Sequence, residues 1–248
     1  MRAPTRRSGC TSSAGRRRPR WGRNDLRQYD DLAGEWWRPS GAFAALHWIA
    51  AARAELIPTA PRPGAVLVDA ACGGGLLRPH VRGYRYIGVD LVASAVAVAS
   101  RHGATALQGD ITALPLRSGC ADVVVAGEIF EHLADLEAAV AEISRVLRHG
   151  GTLVFDTIND TRLARLSLVT VGERLPGGPP ARIHDPDLFV APERIGALCS
   201  RHGIRIEIRG LRPSLVDYLR FLTRRDRPVR MLPSSSVAGL YQGRGCRQ

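Results

Sequence analysis

Two short apolar runs, each ending in an acidic residue, constrain the fold of this chain more than any other feature. The first run, residues 66–69, is followed after a short link by three successive glycines, Gly73–Gly75. The second run, residues 86–90, ends seventeen positions after the first of these glycines. This spacing predicts a strand, a glycine turn, a helix and a second strand, with a carboxylate at the tip of each strand. Glycines in such a turn allow the backbone to approach a nucleoside-like ligand closely.

The two acids at the strand tips distinguish between classes of nucleoside cofactor. Asp90 is suited to receive both ribose hydroxyls, because an ionised carboxylate is an acceptor only. Asp69 precedes the glycine turn, where it would repel a pyrophosphate, which prefers bare N–H groups at a helix N-terminus. A methionyl ammonium would instead be attracted. The pattern therefore favours S-adenosylmethionine over NAD, with Gly73 and Gly75 among the residues that contact it.

Strands alternate with helices along most of the sequence. Helices are predicted at 25–33, at 41–57, at a position directly after Gly75, and at 93–102, 134–147 and 214–222. Strands are predicted at 65–69, 85–89, 104–108, 122–126, 151–156, 204–209 and 236–241. This alternation predicts an α/β fold with a doubly wound, mostly parallel sheet of seven strands.

The order of the motifs resembles that of the class I S-adenosylmethionine-dependent methyltransferases. The motifs that carry the resemblance, besides the glycine turn, are Gly109-Asp110, the strand and acidic segment 122–133, and the segment 146–156 with its Gly-Gly pair. The resemblance implies the Rossmann-like fold of that class, with N-terminal helices and a lid.

A narrower resemblance links the chain to the O-methyltransferases of ubiquinone biosynthesis, which act on polyprenyl-hydroxyphenols and demethylubiquinol. It is carried by the segments 29–37, 156–159, 171–175, 183–185, 189–193 and 241–243. The similarity runs from about Tyr29 to Gly243, so it covers far more than the cofactor loop. It implies a lid or acceptor-site insertion at about 159–192.

This resemblance also assigns cofactor contacts. Arg53, Ala71, Asp90 and Gly127 stand at positions that contact the cofactor in the family. Arg53 would hold the methionyl carboxylate in a bidentate fork, unless it lies on a solvated helix face. Asp110 would accept from the adenine amino group, or is simply a turn residue. Ala71 departs from the family's usual glycine, and an alanine fits there when its φ is negative.

The acidic cluster Glu128, Glu131 and His132 is the candidate catalytic and metal-binding group. In the resembled family this Glu-x-x-Glu-His pattern is proposed to carry Mg²⁺, whose preferred ligands are oxygens. His132 is alternatively the general base that takes the proton of a phenol. The competing structural interpretation is that both glutamates cap and charge the following helix.

The basic charge of the chain lies at its two ends. The net charge is +12, with +8 in residues 1–23, −4 in residues 24–200 and +8 in residues 201–248. A nucleic-acid-binding protein would carry the basic charge on its folded core, so no nucleic-acid partner is expected. Residues 1–24 are predicted to be a disordered basic tail, and residues 25–248 the methyltransferase domain.

The segment 161–175 combines leucines at near-helical spacing with arginines. It is either a lid over the acceptor pocket or an element that contacts an anionic membrane surface. Trp36 and Trp37 either line that pocket or pin the helix 41–57 to the core. The sequence contains no apolar span of membrane-crossing length, and its cysteines show no paired spacing. A cytoplasmic protein is therefore expected, or one that is peripheral at the inner membrane face.

Together these patterns predict a methyltransferase that acts on a hydroxyl of an aromatic compound or quinol. Two alternatives remain open at this point. The acceptor is another small molecule, such as a natural product, or the chain binds S-adenosylmethionine without catalysis, for which the departure at Ala71 is the argument.

Overall fold

An eight-stranded mixed sheet forms the centre of the computed structural model, which describes residues 21–248. The strand order is β3-β2-β1-β4-β5-β8-β6-β7. The strands are β1 Val66–Ala70, β2 Arg85–Asp90, β3 Thr105–Gln108, β4 Ala121–Gly127, β5 Leu147–Ile158, β6 Ile204–Pro213, β7 Met231–Ser234 and β8 Leu240–Arg247. The helices are α1 Arg27–Asp31, α2 Ala44–Ala54, α3 Ala93–Arg101, α4 Leu136–Val146, α5 Arg162–Ala164, α6 Pro192–Arg201 and α7 Leu215–Thr223.

The first five strands are parallel, as their apolar sequences predict. β1 pairs with β2 and β4, and the sheet continues to β3 on one side and β5 on the other. Val123, Val124 and Val125 of β4 are buried on both faces of the sheet, which is typical of a strand covered by helices on both sides. The carboxyl ends of β1, β2 and β4 therefore meet at one edge, where the predicted acids lie.

The helix α4 shows how the sequence specifies an element of this scaffold. Asp135 caps it by accepting a hydrogen bond from the N–H of Ala138 at 2.9 Å. Leu136, Val140 and Ile143 recur at helical spacing and are buried. Their burial against the sheet contributes about 1.5–3 kcal/mol per side chain.

The C-terminal strands are antiparallel, and they correct the predicted strand count from seven to eight. β8 lies between β5 and β6, and β7 pairs with β6 at the edge. The last predicted strand, 236–241, is displaced to 240–247, and the short strand β7 was not predicted. Gly243 of β8 lies directly against the ring of Phe155, where an added Cβ would overlap it.

Two further expectations are corrected at the N-terminal side. The predicted helix after Gly75 is only a 3₁₀ turn, Arg78–His80, because Pro79 removes a backbone donor and interrupts a helix. The predicted start of the domain at residue 25 is too late. Trp21 donates to Asp31 at 2.7 Å and Asn24 donates to the carbonyl of His132 at 2.9 Å. The remainder of the predicted tail, residues 1–20, lies outside the described residues.

The predicted lid, 159–192, is built from α5, a π-helical turn Arg165–Val171 and short 3₁₀ turns. Its leucines divide between two faces, since Leu163 and Leu166 are exposed whereas Leu168 faces inward. None of the helices in the described part of the chain combines the length and apolarity that a membrane crossing requires.

Candidate active site

A cavity of about 500 Å³ opens at the carboxyl ends of β1, β2 and β4. Its walls are the glycine turn, the N-terminal helices and the lid. Most residues predicted to form the site line it: Arg53, Asp69, Ala71, Gly73, Asp90, Asp110, Gly127, Glu128 and His132. Gly75 does not, because it packs against Ala99 of α3 instead. Glu131 lies behind the cavity wall and is completely buried.

Asp90 is tied to the glycine turn by its own carboxylate. One oxygen accepts from the N–H of Gly73 at 2.8 Å, and the other accepts from the N–H of Val92 at 2.9 Å. Burial raises the pKa of Asp90 above its ordinary value. Each oxygen keeps a lone pair for a further donor, so the geometry is compatible with the predicted ribose contact.

Asp69 is buried at the tip of β1 and also lines the cavity. The hydroxyl of Tyr86 donates to it at 2.5 Å. Burial raises the pKa of Asp69 to about 6, so the carboxylate is ionised at neutral pH. It is therefore available to a cationic group in the cavity.

The backbone at Ala71 does not meet the condition under which an alanine fits without strain. Its φ is +67°, in the left-handed region that favours glycine, rather than the negative value at which an alanine fits without strain. Glu128 also has a positive φ, +52°. Two residues of the cavity wall therefore hold a backbone conformation that costs about 1–2 kcal/mol for a side-chain-bearing residue.

Arg53 does not present a free fork to the cavity. Its Nε and Nη2 donate to the two oxygens of Asp156 at 2.6 and 2.7 Å, and both side chains are buried. The bidentate clamp predicted for a methionyl carboxylate is thus occupied by a protein carboxylate. The two N–H groups of Nη1 and the second N–H of Nη2 are left for a ligand. Gly127 makes room for this pair, because a Cβ there would overlap the guanidinium.

Glu131 and Glu128 each bury an oxygen that has no hydrogen-bond partner. The other oxygen of Glu131 accepts from the hydroxyl of Thr157 at 2.6 Å. Burial raises the pKa of Glu131 to about 7, and burial next to Glu131 raises the pKa of Glu128. The capping interpretation is wrong, because Asp135 caps the following helix.

His132 is held by Asn24 through two hydrogen bonds. Asn24 Nδ2 donates to the backbone carbonyl of His132 at 2.9 Å, which leaves its Oδ1 2.6 Å from His132 Nδ1. Nδ1 therefore carries the hydrogen, and Nε2 is the unprotonated nitrogen. Burial lowers the pKa of His132 to about 4, so the imidazole is neutral at neutral pH.

The two tryptophans have different positions. Trp36 lines the cavity, stacks on Phe43 with ring centroids 4.1 Å apart, and covers Gly73. Trp37 stacks on His102 and donates to the carbonyl of Gly74 at 2.8 Å. Only the first is a cavity wall, and the second fixes the N-terminal segment to the glycine turn.

Asp110 is a turn residue that also lines the cavity. One of its oxygens accepts from the N–H and the hydroxyl of Thr112, each at 2.8 Å, so it stabilises a turn. The residue also lines the cavity. The adenine contact stays a prediction.

Comparison with known proteins places this site in a family. Residues 68–155 match the family model described as a methyltransferase domain. The chain is 31% identical over 198 residues to the ubiquinone biosynthesis O-methyltransferase of Ralstonia nicotianae, covering 75% of this chain and 83% of that protein. The Brucella anthropi protein of the same name is 31% identical over 204 residues, covering 74% and 82%. The chain belongs to this O-methyltransferase family.

The mitochondrial ubiquinone biosynthesis O-methyltransferase of Rattus norvegicus is 30% identical over 207 residues. That match covers 74% of this chain but only 60% of the rat protein. The chain therefore spans about 60% of the length of this mammalian relative.

Solved structures confirm the fold. An S-adenosylmethionine-dependent methyltransferase from Thermotoga maritima superimposes with a TM-score of 0.65 at 16% identity, covering 90% of this chain and all of that one. The magnesium protoporphyrin IX methyltransferase of Synechocystis, with bound SAH, gives 0.60 at 16% identity, covering 90% and 96%. These matches confirm the Rossmann-like class I architecture that the motif order predicted.

Among the polar residues of the cavity that the sequence patterns did not indicate are Asn24 and His184. His184, from the lid, is buried and lies with its ring centroid 5.1 Å from that of His132. Donor atoms of Glu131, His132 and His184 all lie within 4.8 Å of one another. Glu128 is not part of that group, so the predicted set Glu128, Glu131 and His132 is not the one brought together. His184 stands 52 positions after His132, and no local spacing indicates the contact.

Proposed function

We propose that this methyltransferase transfers the methyl group of S-adenosylmethionine to a hydroxyl of a hydroxylated aromatic compound or quinol. The observation that carries the proposal is one cavity in which the glycine turn with Asp69 and Asp90 faces the polar cluster around His132. The family, whose members are named ubiquinone biosynthesis O-methyltransferases, supports the same chemistry.

The reaction needs an oxygen nucleophile and an in-line sulfonium. The carbon–sulfur bond breaks, a carbon–oxygen bond forms, and the sulfur keeps the electron pair as neutral S-adenosylhomocysteine. The hydroxyl proton must leave, because a phenolate attacks far better than a phenol. Positioning both reactants in one cavity supplies a large part of the rate enhancement.

The cofactor half of the cavity is assigned from charge. Asp69 would bind the methionyl ammonium and Asp90 the ribose hydroxyls, with backbone contacts from Ala71, Gly73 and Gly127. In this assignment Arg53 acts mainly by holding Asp156, and reaches the methionyl carboxylate only through the N–H groups of Nη1 and Nη2 that Asp156 does not occupy.

The acceptor half combines apolar walls with a polar end. Tyr29, Trp36 and Phe43 form a stacked group whose rings line the cavity, and such walls suit a planar aromatic acceptor. At the polar end, the imidazole of His132 is neutral at neutral pH and can therefore accept a hydrogen bond from the acceptor hydroxyl.

A Mg²⁺ ion, which the resemblance implied, does not fit the donor atoms. Mg²⁺ prefers an octahedral set of oxygens. The group that the fold brings together offers one free carboxylate oxygen, from Glu131, and two imidazoles. No step of the reaction is assigned to Mg²⁺.

Calorimetric titration of S-adenosylmethionine into the full chain, with NAD⁺ as the control, tests the cofactor half. Methyl transfer to catechols and short-chain quinols tests the acceptor half, followed by mass spectrometry of the product. We expect binding of S-adenosylmethionine alone and a mass gain of one methyl group. Binding without transfer to any hydroxylated aromatic would support the non-catalytic alternative, and transfer only to other small molecules would change the acceptor class.

We also propose that segment 161–175 contacts an anionic membrane surface beside the cavity. Leu163 and Leu166 are each 57% exposed. The neighbouring helix α7 exposes Leu215 and Leu219. Its Tyr218 hydroxyl donates to the carbonyl of Pro176, the residue directly after this segment, at 3.1 Å. Exposed leucines flanked by arginines are suited to an anionic interface.

Sedimentation with phosphatidylglycerol vesicles tests this contact, with phosphatidylcholine vesicles as the control. The double variant Leu163→Ser/Leu166→Ser should lose most of the bound fraction, while its S-adenosylmethionine affinity stays unchanged. Equal sedimentation of the variant and the parent protein would dismiss the membrane contact.

A further inference from the structure

The side-chain amide of Asn24 connects the backbone and the ring of His132 at the acceptor end of the cavity. We propose that Asn24 is a positioning residue for methyl transfer, which holds the imidazole of His132 in the tautomer whose Nε2 can accept from the acceptor hydroxyl. This inference rests on the proposed function for the role of His132. The tautomer itself can be measured without any acceptor, so the two proposals are testable separately.

The two contacts of the amide determine which way round it lies. Its Nδ2 donates to the backbone carbonyl of His132 at 2.9 Å, and its Oδ1 lies 2.6 Å from Nδ1 of the ring. If the amide were turned over, Oδ1 would face the carbonyl oxygen, and neither atom could donate. The hydrogen bond at one nitrogen of a neutral imidazole decides which nitrogen carries the hydrogen. Asn24 therefore keeps it on Nδ1 and leaves Nε2 as an acceptor.

The backbone conformation at residue 24 suits an asparagine. Its φ is +56°, in the left-handed region, where asparagine is several-fold enriched over other residues that carry a side chain. The amide also provides a donor and an acceptor together, which a carboxylate does not. Glycine would keep the left-handed backbone without either group, so Asn24→Gly removes the amide alone.

The segment 21–28, which we call the strap, holds Asn24 against the lid. The N–H of Asn24 and the side-chain amide of Gln28 both donate to the carbonyl of Arg182, at 3.1 and 3.0 Å. In the opposite direction, Nε of Arg182 donates to the carbonyl of Trp21 at 2.8 Å. The amide of Asn24 is therefore fixed in place before an acceptor binds, as a positioning residue requires.

Two further rings adjoin the imidazole of His132. The ring of Tyr29 meets it edge-on with centroids 6.5 Å apart, and the centroid of the His184 ring lies 5.1 Å away. The strap also holds this part of the lid, because Arg23 donates to the carbonyl of His184 at 2.8 Å. These neighbours limit rotation of the imidazole, so Asn24 controls the position of its hydrogen rather than its place in the cavity.

The tautomer decides whether the imidazole assists the reaction. With the hydrogen on Nδ1, Nε2 accepts from the hydroxyl and takes its proton while the carbon–oxygen bond forms and the carbon–sulfur bond breaks. The sulfur keeps the electron pair of the broken bond, and the imidazolium later releases the proton to water. With the hydrogen on Nε2, the imidazole could only donate to the hydroxyl. A general base contributes about 10²–10⁴-fold to a rate, and part of this factor depends on Asn24.

Nitrogen–proton spectra of the full chain labelled with ¹⁵N-histidine test the tautomer at neutral pH. The signals of His132 are identified by their loss in His132→Gln. We expect a protonated Nδ1 and an unprotonated Nε2 in the parent protein, and a mixture of both tautomers in Asn24→Gly. A hydrogen on Nε2 in the parent protein, or an unchanged tautomer in Asn24→Gly, would overturn the proposal.

Methyl transfer to catechol and to a short-chain quinol, followed with a radiolabelled methyl group, tests the consequence. Asn24→Gly should lower kcat about 10–100-fold, while its calorimetric affinity for S-adenosylmethionine stays unchanged and verifies its folding. Arg27→Gln is the matched control, because this exposed strap residue bonds to Asp25 and lies outside the cavity lining. Its kcat and its His132 signals should equal those of the parent protein.

A double-mutant cycle separates positioning from a merely structural role. In the background of His132→Gln, which has no imidazole to position, Asn24→Gly should change kcat by no more than about twofold. If the two losses multiply instead, Asn24 acts independently of His132 and the proposal is wrong. A parent protein that has the expected tautomer but methylates neither acceptor would contradict the proposed function and not the contact between Asn24 and the imidazole.

Discussion

Gly127, at the end of β4, is the position where one added methyl group should destabilise the protein most. Its missing side chain leaves space for the Arg53 guanidinium, which is hydrogen-bonded to Asp156 at 2.6 and 2.7 Å. A Cβ in Gly127→Ala would overlap the guanidinium carbon and two of its nitrogens. An arginine tip is usually flexible, but here it cannot move without leaving its buried partner.

The expected cost follows from the burial of that pair. The side chains of Arg53 and Asp156 are 8% and 0% exposed. Separating a buried ion pair while both charges stay inside costs about 3–5 kcal/mol. For a domain of this size, about 2–4 °C of melting temperature corresponds to each kcal/mol, so a decrease of about 10 °C is expected.

Urea unfolding followed by circular dichroism measures this change in the free energy of unfolding. Gly196→Ala is the control, because this glycine lies within α6 and an added Cβ meets no atom within 4 Å. That variant should gain about 0.5–1 kcal/mol, since alanine favours a helix interior. A loss below about 1 kcal/mol in Gly127→Ala would refute the argument that the guanidinium is held in place.

Three further predictions concern the cofactor end of the cavity. Ala71→Gly should raise the free energy of unfolding by about 0.5–1 kcal/mol, because relief of the left-handed strain exceeds the added entropy of the unfolded chain. The control Ala141→Gly, inside α4, should lower the free energy of unfolding by about 1 kcal/mol in the same urea titrations. A decrease in Ala71→Gly as well would contradict the strain at Ala71. Burial raises the pKa of Asp69 to about 6, so the native state binds this proton more tightly than the unfolded chain does. Stability should therefore fall as pH rises from about 4 to 6, and Asp69→Asn should remove this component of the slope. Asp90→Ala should weaken S-adenosylmethionine binding more than tenfold, since each lost charge-assisted hydrogen bond costs about 1.5–3 kcal/mol. Unchanged calorimetric affinity would contradict the ribose contact.

The parallel half of the sheet could be predicted because each of its strands is specified locally. β1 and β4 are continuous apolar runs bounded by glycines or acids, and burial on both faces demands such runs. The acids at the strand tips follow from the same pattern, since the carboxyl ends of parallel strands share one edge. Asp69, Asp90 and Glu128 were therefore predicted together and found in one cavity.

The rest of the fold and of the site depends on contacts between residues that are far apart in the sequence. Arg53 pairs with Asp156, and His132 is joined by His184 from the lid, without any local spacing that indicates either contact. β8 contains Gly243 and Gly245, which weaken a strand pattern. Both positions require glycine because Phe155 and Ile206 occupy the space of a side chain. Pro79, four positions after Gly75, is the local signal against the helix predicted there.

The position of β8 has a consequence for synthesis of the chain. Residues 240–247 pair with β5 on one side and with β6 on the other. Until these residues leave the ribosome, β5 is an open edge of the nascent sheet. The pair β6 and β7 cannot join that sheet before β8 is present. Unpaired edges of this kind promote association between chains. Slow translation of residues 240–247 would therefore favour aggregation, whereas the strands β1–β4 would already be able to pair.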